Sequence, residues 1–133
     1  MSEREAPVPS LADIDALGRA VFDRLPEPFR MMCRDVVIRV EDLPDAEVCA
    51  AMALDSPMEL LGLYHGVDLM RGSVLDVRQD VDRIYLYRLP ILAAWQTERD
   101  SLEALVGNVL IHEIGHHFGF SDDDMARIEA EDF

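Results

Sequence analysis

His112 and His116 stand four residues apart with Glu113 between them, and Gly119 and Asp122 follow seven and ten residues after the first histidine. On a helix of 3.6 residues per turn, side chains four apart differ by about 40° around the axis, so both imidazoles project from one face. Two imidazoles so placed can hold one zinc ion, with the carboxylate of Glu113 within reach of a water that the ion activates. Gly119 tolerates the positive φ needed where a chain leaves a helix and turns back. The returning chain can then raise Asp122 as a third ligand. The pattern H-E-x-x-H-x-x-G-x-x-D therefore assigns His112, His116 and Asp122 to the metal and Glu113 to general acid–base work. A buried helix with incidental histidines does not account for the grouping, because three of the four histidines fall within six residues.

Zinc with three protein ligands keeps a fourth position for water and lowers the pKa of that water from about 9 towards about 7. Glu113 can accept the proton and pass it to a leaving amine. That is the chemistry of peptide-bond hydrolysis. A second reading is a zinc-binding interaction module, or a protease relic that holds metal without turnover, since so short a chain leaves room only for a shallow site. A third is a metal-dependent endoribonuclease with H-G-x-x-H-x-x-G-x-x-H. That pattern shares the spacing but lacks the glutamate and ends in histidine, where this chain has Asp122 and no basic patch.

The motif needs a helix and a scaffold to present it. Leu102, Leu105, Val106, Val109, Leu110, Ile111, Ile114 and Phe118 wrap almost all the way round one helix, which marks it as buried and central. Thr97 or Asp100 is expected to open it. Ser10 can cap an earlier helix running to about Leu25, ended by Pro26 and Pro28. Val36–Val40 is a β-branched run and reads as a strand. Asp45 can cap a short helix over 47–54, and Leu60–Tyr64 reads as a second strand closed by Gly66. Residues 66–82 read as a loop or ragged hairpin. Ile84–Leu89 reads as a strand at or near a sheet edge, because Pro90 cannot continue a central strand. Pro90 then suits the first turn of a short helix through Trp95. Ser121 and Asp124 have the spacing to start a last helix through Ala130. Residues 1–9 read as a loose tail before a single domain over 10–133.

With these residues set out, the chain resembles the zincins. Gly119 and a ligand ten residues after His112 match the extended metzincin-type motif, and Asp122 in the place of a third histidine resembles the small secreted neutral proteases of the snapalysin type. More closely, residues 30–130 resemble the short bacterial zincin-like metallopeptidase family. That resemblance includes Leu60-Leu61-Gly62-Leu63-Tyr64, Ile84-Tyr85-Leu86-Tyr87-Arg88 and the motif itself. It implies an α+β minimal zincin-like domain, with a small mixed sheet packed on the active-site helix, and it implies the zinc ligands and the general base but no substrate. Met125, three residues past Asp122, falls inside the last helix and is not assigned to the methionine turn that metzincins place beneath their zinc.

No donor for transition-state stabilisation is identifiable, although Tyr64, His65, Tyr85 and Tyr87 are candidates by residue type. His117 points about 100° away from His116 and reads as a packing or supporting residue. If 84–89 is an exposed edge, an extended peptide can add to it through backbone hydrogen bonds.

Twelve basic against 27 acidic residues in 133 give a formal charge of −15. Such a surface repels phosphate backbones and anionic membranes and favours basic or neutral peptides. Cys33 and Cys49 have no metal-ligand spacing. With no leader and no long apolar run, they point to a reducing cytoplasm.

Overall fold

A computed structural model of the protein describes residues 8–66, 82–98, 100–121 and 123–127. Helix α1 (Leu11–Asp23) starts where Ser10 accepts from the Asp13 N–H while the Asp13 carboxylate accepts from the Ser10 N–H, a reciprocal cap. It ends short of Leu25, and a single turn, α2 (Phe29–Met32), follows the prolines. Strand β1 (Val37–Glu41) leads to α3 (Ala46–Ala51), capped by Asp45 as its position suggests. A 3₁₀ turn at Pro57–Glu59 then delivers β2 (Gly62–His65). Strand β3 (Arg83–Tyr87) runs directly into α4 (Arg88–Thr97).

The long helix α5 (Leu102–His117) is capped by Ser101, whose hydroxyl accepts from the Ala104 N–H, and not by Thr97 or Asp100. Thr97 instead closes α4, its hydroxyl donating to the Ala94 carbonyl. Residues 123–127 are helical behind a Ser121–Asp124 reciprocal cap. The expected tail up to residue 7, the loop over 67–81 and the end of the last helix at Ala130 lie outside the described residues.

The three strands form one mixed sheet in the order β1-β3-β2, with β1 parallel and β2 antiparallel to β3. Arg83–Tyr87 is thus the middle strand, which corrects the expected edge position of residues 84–89. The strand ends at Tyr87, so Pro90 never enters the sheet. It falls in the first turn of α4, where its missing N–H costs no helical bond. With both sides of β3 paired, no peptide can add to it. Among the described strands the edges belong to β1 and β2.

Helix α5 packs against α1, β2 and α4. Ile14 and Val21 of α1, Ile84 and Leu86 of β3, and Val106, Leu110, Ile111 and Ile114 of α5 are fully buried together. The architecture is α+β, with the sheet on one side of the motif-bearing helix. The apolar girdle of α5 anchors it, and the helix end that carries the histidines emerges from the core.

Candidate active site

His112 and His116 both lie on the exposed side of α5. Their ring centroids are 6.1 Å apart with planes inclined by 63°, a separation that one ion with two bonds of roughly 2.0–2.1 Å can span. Imidazole pairs of this kind suit a borderline cation such as zinc. Among the described residues no group of three His, Cys, Asp or Glu converges, and Asp122, the expected third ligand, lies outside them.

The described residues before and after it make defined contacts. Gly119 adopts φ +83°. Its N–H donates to the His116 carbonyl at 3.2 Å, and the Phe120 N–H donates to the Gly115 carbonyl at 2.8 Å. These are the two bonds of a Schellman turn, which closes the helix and sends the chain back over it. Phe120 then packs edge-on against Phe29, with ring centroids 5.1 Å apart. Met125, fully buried in the helical segment 123–127, sits against Gly115, where an added Cβ would lie 2.2 Å from its sulfur. Gly119, Phe120 and Met125 are therefore all held against the end of α5. Asp123 is exposed, and the Asp124 carboxylate caps the last helix.

Glu113 is set differently from the histidines on either side. It is half-buried and turned towards the sheet. The Tyr87 N–H donates to the Leu61 carbonyl at 2.9 Å, so Leu61 and Tyr87 form a hydrogen-bonded pair of the antiparallel ladder. By the alternation of that ladder, Gly62 and Tyr64 turn their N–H and C=O groups away from β3. The Tyr64 N–H points to α5 and donates to Glu113 Oε1 at 3.2 Å. Gly62 allows the close approach, because a Cβ there would meet Val109 Cγ1 at 2.6 Å and lie 3.7 Å from Glu113 Cγ. Burial raises the Glu113 carboxyl above the ordinary range, while the Tyr64 N–H and the charges of His116 and His112 pull it back. A carboxyl lifted by burial is a stronger base once ionised.

His117 leaves the histidine face, as its position predicts. It stacks on the Tyr64 ring at 3.9 Å with planes 13° apart, and Gly66 lies against its edge. The Tyr64 hydroxyl donates to Asp82 Oδ2 at 2.7 Å. Tyr85 and Tyr87 stack on each other, with centroids 6.2 Å apart, and Tyr87 is buried. His65 is exposed at the end of β2. None of the four is brought to the two imidazoles by a described contact. The two features that sequence reasoning missed are the Tyr64 main-chain donor and a cleft of about 350 Å³ that opens on His112 and Glu113. Main-chain groups carry no residue signature, so only the register of β2 could have revealed the first.

The model of the zincin-like metallopeptidase family matches residues 33–131. The chain belongs to that family. No curated protein matches it. Membership accounts for the sheet-on-helix arrangement, and a zincin-like family implies zinc binding, which the exposed His112 and His116 pair suits. No helix among the described residues of this zincin-like chain is long and apolar enough to cross a membrane.

Proposed function

We propose that the protein is a zinc-dependent metallopeptidase that hydrolyses peptide bonds, with His112, His116 and Asp122 as ligands and Glu113 as the general base. The observation that carries this reading is the half-buried Glu113 carboxylate, held by the Tyr64 N–H beside a pair of outward-facing imidazoles. Zinc, when bound, supplies a Lewis acid that makes water more acidic and a carbonyl more electrophilic. The chain's own residues do the rest. Glu113 takes the proton from the attacking water and returns it to the amine that leaves, and the Tyr64 hydrogen bond keeps one carboxylate oxygen fixed while the other works.

The extended peptide belongs beside β2 rather than β3. The Gly62 main-chain groups and the Tyr64 carbonyl turn away from β3 on the edge where the Tyr64 N–H meets Glu113, so a strand added to that edge would present its scissile bond to that carboxylate. The charge of −15 favours basic or neutral peptides and disfavours nucleic acid and anionic membrane. Cys33 and Cys49 are both unpaired, which suits a reducing cytoplasm.

The test is to purify the wild type and His116→Ala with added zinc, then to measure metal by elemental analysis and cleavage of an unfolded basic protein. The wild type is expected to hold about one zinc per chain and to cleave, and the variant is expected to do neither. Full zinc occupancy in His116→Ala would overturn the ligand assignment. Zinc binding without cleavage in the wild type would favour the non-catalytic module, which the small and open site also accommodates.

A further inference from the structure

The cleft that opens on His112 and Glu113 is bounded on one side by α5 and on the other by the segment that leads into β2. Leu60, Leu61, Leu105 and Val109 make its walls apolar, and Glu59 and Asn108 join His112 and Glu113 as its polar side chains. At about 350 Å³ it sits at the small end of ligand clefts, which span roughly 300–1,000 Å³, and so suits one side chain rather than a cofactor.

Asn108 is out of place by local rules. Asparagine is a poor residue for a helix interior, and this one lies mid-way along an apolar helix, one turn before His112. Its carboxamide is half-buried and makes no hydrogen bond among the described residues. Glu59 is only partly used. Its Oε2 accepts from the Ser56 N–H at 2.8 Å, and the other oxygen has no hydrogen-bond partner among the described residues. Glu59, which is exposed, and Asn108, which is half-buried, therefore add a carboxylate and a carboxamide to an otherwise apolar lining beside the proposed base.

We propose that this cleft is a subsite for a long basic side chain of the peptide substrate, lysine above all, with Glu59 and Asn108 receiving its charged end. The inference rests on the reading that a peptide lies beside Glu113. A lysine buries its four-carbon stem against the leucines and Val109 while its ammonium supplies three donors. A purely apolar side chain of the same length fills the same walls but leaves the Asn108 amide desolvated and unsatisfied, which penalises it. A glutamate adds its charge to that of Glu59. The net charge of −15 attracts the same cationic peptides from a distance.

The probe is a fluorophore-labelled peptide of two alanines, one variable residue and two alanines, blocked at both ends. The alanines let the variable side chain slide into the cleft in any register. Binding is read by fluorescence anisotropy on the wild type without metal and on zinc-loaded Glu113→Gln, so no turnover is required. The lysine peptide is expected to bind about tenfold more tightly than the norleucine peptide, and the glutamate peptide more weakly than either. Asn108→Leu should bring lysine and norleucine within about twofold. Glu59→Gln, which keeps the cap on Ser56, should narrow the gap part of the way. Equal binding of lysine and norleucine by the wild type, a preference that survives both substitutions, or no binding of any peptide overturns the proposal. A retained lysine preference in a protein that cleaves no peptide would overturn the peptidase reading and leave the cleft assignment standing.

Discussion

The main-chain N–H of Tyr64 meets the carboxylate of Glu113 at 3.2 Å, tying the edge strand of the sheet to the helix that bears the histidines. The bond is possible because Gly62, two residues earlier, brings no side chain between β2 and α5. In Gly62→Ala the new Cβ would lie 2.6 Å from Val109 Cγ1 and 3.0 Å from the Tyr85 carbonyl. Valine is stiff at χ1, and the carbonyl belongs to the sheet, so neither yields easily. The variant should lose about 1–3 kcal/mol in urea denaturation, with partial recovery in Gly62→Ala/Val109→Ala. Unchanged stability in the single variant would show that β2 does not pack on α5 as described.

Gly115 and Met125 form a second close contact, on the side of α5 where the returning chain is pinned. Gly115→Ala places a Cβ 2.2 Å from the Met125 sulfur and should destabilise by about 1–3 kcal/mol through overpacking. Met125→Ala opens a cavity and should cost about 2–5 kcal/mol. Because each change relieves the other, the double variant should be more stable than the sum of the two losses predicts. Additive losses in thermal or urea unfolding would mean that the two residues do not touch.

Tyr64 serves the site through its backbone and its ring face, not its hydroxyl. Tyr64→Phe removes the 2.7 Å bond to Asp82 and keeps both the stack on His117 and the N–H to Glu113. It should cost about 0.5–1.5 kcal/mol of stability and leave zinc affinity and peptide cleavage within about twofold of the wild type. A hundredfold fall in kcat with unchanged folding would show instead that the hydroxyl acts on the substrate.

The two cysteines should differ sharply in reactivity. Cys33 is fully buried, and burial, with the charge of Asp82 second, pushes its thiol up to about 11. At pH 8 only roughly one molecule in a thousand carries the thiolate, the form that reacts. Native protein should therefore show one fast thiol, the half-buried Cys49, and one that reacts only as the chain opens. The slow rate should rise with pH towards 11. Two thiols of equal speed in a native Ellman assay would contradict the packing around α2.

Much of this arrangement was legible in the residues. The apolar girdle of α5, the Ser10, Asp45 and Ser121 caps, and the glycine that ends the motif helix all depend on local spacing, and local spacing is what a sequence displays. Strand order was not legible. Pro90 argues for an edge only if it belongs to the strand, and the switch from β3 to α4 at Arg88 removes it by two residues. The start of α5 was misplaced for a related reason, since Thr97, Asp100 and Ser101 are all capping types and only tertiary packing selects among them. The partner of Glu113 was invisible because it is a main-chain group 49 residues away. Asn108 did show its type mid-helix, but the cleft it faces exists only once β2 is docked.

The central claim is that Glu113 moves the proton in peptide hydrolysis, and Glu113→Gln tests it most directly. Glutamine keeps the shape and can still accept from the Tyr64 N–H, so fold and zinc content should match the wild type. The measurement is kcat/KM on one unfolded basic peptide, with zinc determined by elemental analysis on the same samples. A loss of about 10²-fold or more at equal zinc content is the predicted result. Equal turnover by the two proteins would contradict the account.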